Sequence, residues 1–101
     1  MKKIINGKLY DIDTAYYIAD NQHLHAGDLH HYVEDLYRKE NGEFFLACKG
    51  NAGSKYCEQS GQNTWSSGKC IVPLTDEETK QWLADNDYID EYEQFFGRAP
   101  E

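Results

Sequence analysis

With 101 residues, a hydrophobic fraction of 40% and 14% aromatics, the chain has material for one folded domain, residues 1–101, and does not read as disordered. A formal charge of −8 disfavours free nucleic acid as a partner, and no apolar run approaches the roughly 20 residues of a membrane span. The acidity is uneven: residues 1–74 hold 8 Lys/Arg against 9 Asp/Glu, whereas residues 75–101 hold 2 against 9.

The N-terminal MKKIINGKLY carries lysines but no apolar segment of about 7–15 residues after them, so a signal peptide is not expected and a cytoplasmic location follows. Lys2 to Asp11 reads as a small hairpin or a tightly turned strand about Asn6-Gly7, with lysines protecting an exposed edge. Asp13 or Thr14 can then cap a helix, because Ala15, Ile18 and Ala19 fall at i, i+3 and i+4. The spacing predicts one short N-terminal helix over 14–20, lying on a sheet. All four histidines sit in the connection 21–31. His23, His25, Asp28 and His30 could assemble a zinc site; the competing reading is a polar loop whose histidines are exposed or held by carbonyls, with no metal and no cofactor.

The centre of the chain is residues 32–49, two aromatic-rich runs around Asn41-Gly42. That pair is the strongest short-range hairpin signal, and a two-residue type I′ loop would set Arg38 opposite Phe45, Tyr37 opposite Leu46 and Leu36 opposite Ala47. One face would carry Val33, Tyr37, Phe44, Leu46 and Cys48; the other would carry Leu36, Phe45 and Ala47. Apolar residues on both faces call for something packed on each side.

Residues 50–68 are rich in Gly, Ser and Asn and read as loop, with one helical turn around Ser54–Gln59. Trp65 within it is either a lid folded on the core or a contact residue. Lys69 to Leu74 is a third main strand, and Pro73, lacking an amide donor, belongs on an edge or at the strand's end. Thr75 and Glu78 match a capping box opening a helix to about Ala84 that buries Trp82 and Leu83. Asn86 or Asp87 restarts a second helix with Tyr88, Ile89, Tyr92, Phe95 and Phe96 on its core stripe, Asp87, Asp90, Glu91 and Gln94 opposite, and Gly97 as its stop. The expected class is α+β: a central antiparallel sheet with a hairpin at about 32–49, one short N-terminal helix and two C-terminal helices.

No motif names a reaction. GxSxG, HExxH and the P-loop pattern are absent, and Cys48, Cys57 and Cys70 match no zinc spacing, so the expectation is a non-enzyme with small structural thiols. Lysines 2, 3, 8, 49, 55 and 69 are scattered along the sequence, which argues against direct nucleic-acid binding. Two protein-binding readings remain. In the first, Asp76, Glu77, Asp87, Asp90, Glu91 and Glu93 form an acidic surface suited to an Arg/Lys groove that normally holds a phosphate backbone. In the second, the chain is a regulatory or adaptor module binding a host protein through the Trp65 loop. Either state, monomer or homodimer, is compatible with the sequence.

The segments INGKLYD, DTA, HHYVEDLYRKENGEFFL, SKYCEQSGQNTW, SSGKCIVPLTDEETKQWL and DEYEQFFG, in that order, resemble a family of small acidic bacterial proteins carried by phages, plasmids and integrative elements. The resemblance spans nearly the whole chain, although the family is more glycine-rich around SKY. It implies an anti-CRISPR-like inhibitor that acts stoichiometrically, occupying a cationic nucleic-acid-binding or target-recognition surface of a CRISPR-Cas effector. It implies no catalytic residues.

Overall fold

The computed structural model describes residues 1–56, 58–61 and 64–101, with the backbone alone described for 58–61 and 64–66. Eight strands precede two helices: β1 (Lys2–Ile5), β2 (Lys8–Asp11), β3 (Tyr16–His23), β4 (Tyr32–Arg38), β5 (Phe44–Gly50), β6 (Glu58–Gly61), β7 (Thr64–Ser66), β8 (Gly68–Leu74), α1 (Asp76–Asp85) and α2 (Ile89–Phe96). Strands β3-β4-β5-β8 form an antiparallel sheet in that order, while β1-β2 and β6-β7 are separate two-stranded hairpins. The α+β class holds.

In the first hairpin Asn6 (φ 52°) and Gly7 (φ 77°) both take the left-handed conformation that a type I′ turn demands, and Ile5 pairs with Lys8. The central hairpin differs from expectation by one residue. Asn41 is absent from the positive-φ positions, and only Gly42 (φ 92°) is left-handed there. The Gly42 amide donates to the Lys39 carbonyl at 2.9 Å and the Lys39 amide to the Glu43 carbonyl at 2.8 Å, so three residues close the loop. The register becomes Arg38 opposite Phe44, Tyr37 opposite Phe45 and Leu36 opposite Leu46. A slip of one residue exchanges the faces of one strand relative to the other. Leu36 therefore joins Phe44, Leu46 and Cys48, and Tyr37 joins Phe45.

Both faces are covered. On the front, Leu36, Phe44, Leu46, Cys48 and Leu83 are buried, with Ile18, Trp82, Tyr92, Phe95 and Phe96 packed against them. On the back, Tyr10, Phe45 and Ile71 are buried beneath Ile5, Ile12 and Ala15 of the first hairpin and its connection. Aromatic geometry locks that side: Phe45 meets the Tyr10 ring edge-on at 5.4 Å and stacks on Tyr37 at 5.5 Å.

Residues 14–20 are not a helix; Tyr16–His23 is the edge strand β3. The side chains available for capping are used in a turn instead: Asp11 Oδ1 accepts from the Asp13 amide at 3.0 Å, and the Thr14 hydroxyl donates to the Asp11 carbonyl. A bulge between Tyr17 and Ala19 lets Ile18 and Ala19 both reach covered positions, which explains the helix-like spacing of small apolar residues. A second correction concerns residues 54–59. Glu58 and Gln59 lie in β6, so no helical turn spans that stretch; Cys57 falls outside the described residues.

The C-terminal helices follow the sequence closely. Thr75 Oγ1 accepts from the Glu78 amide at 3.1 Å and Glu78 Oε1 from the Thr75 amide at 2.9 Å, the reciprocal capping box. Pro73 stands on β8, the sheet's other edge, where its missing amide costs no ladder bond. Two details depart: α2 starts at Ile89 with Tyr88 at its N-cap and no side-chain cap, rather than at Asn86 or Asp87, and Ile89 is 62% exposed, so the stripe is carried by Tyr88, Tyr92, Phe95 and Phe96. Because a Cβ at Gly42 would meet only the Arg38 guanidinium at 3.5 Å, ordinary contact, Gly42→Ala tests the backbone conformation alone. It is expected to cost about 1 kcal/mol in urea denaturation, and an unchanged midpoint would contradict the left-handed turn.

Candidate interaction surface

The helices are held on the sheet through a buried carboxylate. Glu34 of β4 is 4% exposed and points to the helix face, beside Leu36 and opposite Cys48. Its Oε1 accepts from Asn21 Nδ2 of β3 at 3.1 Å and from the Trp82 indole N–H of α1 at 3.2 Å. Its Oε2 accepts from the Tyr56 hydroxyl and lies 3.3 Å from Lys55 Nζ. Burial alone would raise the Glu34 pKa, but the bonds from Tyr56, Asn21 and Trp82 and the Lys55 charge hold it below the usual carboxylate value. One side chain thus ties together two strands, a loop and a helix. Tyr88 adds a second tether, stacking on Trp82 at 5.8 Å and donating its hydroxyl to the Asp20 carbonyl.

That anchoring sorts the acidic candidates. Thr79 and Leu83 turn inward on α1, which leaves Asp76 and Glu77 exposed in its first turn, Glu77 being 3.3 Å from Lys80 Nζ. Asp87 is exposed in the link, held at φ 61°. On α2, Tyr92, Phe95 and Phe96 face the sheet, so Asp90, Glu93 and Gln94 lie on the solvent side. Glu91 is separated from Asp90 and Glu93 and shares a cleft with Gln94. It is half-buried and lines that cleft, of about 440 Å³, with Tyr16, Tyr17 and Arg38. The Arg38 guanidinium there lies over Phe44 at 5.3 Å and Phe95 at 5.0 Å. No basic residue occupies the last turn of either helix. Trp65 is placed on β7, opposite Gln59 of β6; its side chain lies outside what the structure describes.

The histidines do not converge. His23 stacks on Tyr32 at 4.8 Å, His30 Nδ1 lies 2.7 Å from the Gly53 carbonyl, and His31 Nδ1 lies 3.1 Å from the carbonyls of both His23 and Leu24. Carbonyl oxygens only accept, so Nδ1 carries the proton in both rings. Asp28 is spent on the His30 amide at 2.8 Å, and His25 is exposed. Among the described residues no three His, Cys, Asp or Glu side chains are grouped to hold a metal ion. Cys48 and Cys70 pair across β5 and β8, and burial pushes the Cys48 thiol up to about 12, which suits a structural thiol.

Two features escaped the sequence reading. Glu34 looked like one more strand carboxylate; its signal was a charge sharing a face with Leu36. Lys49 and Lys69, 20 positions apart in sequence, are direct neighbours across β5 and β8. Among the described residues no helix is long and apolar enough to cross a membrane. No protein-family model, curated protein or solved structure matches the chain.

Proposed function

We propose that this protein is a non-enzymatic, stoichiometric inhibitor of a CRISPR-Cas effector, docking its acidic C-terminal helices on a cationic surface that otherwise holds nucleic acid. The observation that carries the reading is the arrangement of α1 and α2. Their apolar faces are committed to the sheet, and the outward surface they leave, with Asp76, Glu77, Asp87, Asp90 and Glu93 on it, has no basic residue in either last turn. First-turn carboxylates also suit the positive helix ends, so part of the acidity stabilises the helices themselves. Asp87 and Glu93 have no such local role. A fixed acidic face of this kind steers association with a cationic groove and weakens with salt.

The test is capture of individual purified effectors on the immobilised protein, at low and high salt, followed by assay of target-DNA binding. The structure chooses the variant. Asp87→Lys would place a long side chain at positive φ, and Glu91 belongs to the Arg38 cleft, so the double reversal Asp90→Lys with Glu93→Lys is the clean one. It is expected to weaken capture roughly 10- to 100-fold and to cost no more than about 1 kcal/mol of folding stability. Retention of no effector, or retention indifferent to both salt and reversal, overturns the reading.

A further inference from the structure

The back of the sheet carries a concentration of positive charge in a chain of formal charge −8. Lys49 of β5 and Lys69 of β8 are directly opposite each other and both exposed. Like charges at such a pair destabilise a sheet. Among the described residues neither is within ion-pair distance of a carboxylate. They form a shared wall between two clefts. One, of about 500 Å³, is also lined by His31, Asn51, Ser67 and the Gly50–Gly68 pair at the sheet's end. The other, of about 360 Å³, adds Lys3 from β1 and the hydroxyl-bearing Tyr37. Lys49 and Lys69 thus border both hollows, and Lys3 borders the second.

We infer that the Lys3–Lys49–Lys69 clefts form a binding site for a small molecule bearing more than one phosphate group. Ammonium groups serve phosphates as point charges, and the volumes suit a ligand of nucleotide size. Asp35 also borders the second cleft and its charge acts against that of the lysines; burial and the neighbouring Asp20 raise its pKa, while Lys49 lowers it. A long nucleic acid is the poorer fit: three lysines make no extended track, and the chain's charge repels a polymer. The site lies on the face of the sheet away from the acidic helices and stands or falls independently of them.

The experiment titrates inorganic pyrophosphate and, separately, a nucleoside triphosphate into the intact chain at physiological salt, by calorimetry and amide NMR. Saturable one-to-one binding is expected, with amide shifts confined to the residues lining the two clefts, chiefly 3, 31, 35, 37, 47–51 and 67–69. Lys49→Gln with Lys69→Gln is expected to weaken it by about tenfold or more, whereas Lys8→Gln, whose lysine pairs with Glu43 away from the clefts, leaves it unchanged. Tighter binding of the triphosphate than of pyrophosphate assigns the ligand to nucleotides; equal binding assigns it to the phosphates alone. No saturable binding at millimolar probe, shifts elsewhere, or equal affinity in the double variant overturns the site. If the double variant loses its fold, the shift map of the unaltered chain decides.

Discussion

Phe45→Ala is expected to destabilise the protein by about 3–5 kcal/mol, among the largest losses open to a single truncation here. Phe45 is wholly buried at the centre of the back face, edge-on to Tyr10 and stacked on Tyr37. Its removal opens a cavity between the sheet and the first hairpin, beneath Tyr10, Ile5, Ile12 and Ala15. Leu83→Ala, on the opposite face and equally buried, is expected to cost about 2–5 kcal/mol. Ile89→Ala, at an exposed position, should stay within about 0.5 kcal/mol. Urea denaturation followed by far-ultraviolet circular dichroism measures all three. A Phe45→Ala loss no larger than that of Ile89→Ala would mean that the first hairpin does not close the back face.

What the sequence made legible was local chemistry. Asn6-Gly7 specified its turn because both residues tolerate positive φ and nothing else competed. The Thr75 capping box and the Gly97 stop are likewise decided within four or five residues. The errors came where a competing interaction, local in one case and distant in the other, decided. Asn41-Gly42 carries the same dipeptide, yet the Asn41 side chain accepts from the Glu43 amide at 3.0 Å, only Gly42 turns left-handed, and the register moves by one. That shift decides which face Leu36 and Tyr37 occupy, and no count of apolar residues could have supplied it. Residues 14–20 fit a helical spacing, but β4 needs a neighbour beyond Tyr37 and Leu36, and pairing with β3 satisfies its ladder.

The candidate surface was legible in composition and not in geometry. Concentration of acid after residue 75 is plain in the sequence, but the division that separates Glu91 from Asp90 and Glu93 depends on which side of α2 meets the sheet. The lysines are the reverse case. Positions 3, 49 and 69 look scattered until strand pairing sets Lys49 opposite Lys69 and the first hairpin, packed on the back of the sheet, places Lys3 at the same cleft. Long-range register and packing created that neighbourhood, and sequence separation concealed it.

Glu34→Ala is the other large effect, and its pH dependence makes it diagnostic. The substitution strips the acceptor from the Trp82 indole, the Tyr56 hydroxyl and Asn21, and leaves Lys55 without its partner. The expected loss is about 3 kcal/mol or more, since buried donors lose their bonds together. Glu34→Gln should lose less, because an amide oxygen can still accept from Trp82 and Asn21. The sign with pH follows from the lowered Glu34 pKa. A carboxylate held below its unfolded value of 4.5 stabilises the fold fully above that pH, and its contribution disappears as pH falls through the folded-state value. The stability gap between the native protein and Glu34→Gln should therefore be widest near neutral pH and narrow steadily below 4.5. Urea midpoints read from tryptophan fluorescence across that range give the answer. A gap that stays constant with pH would show that Glu34 titrates alike in the folded and unfolded chain, so that its charge adds nothing to the clamp on α1, and a gap that shrinks as pH rises above 4.5 would show that Glu34 enters the fold protonated.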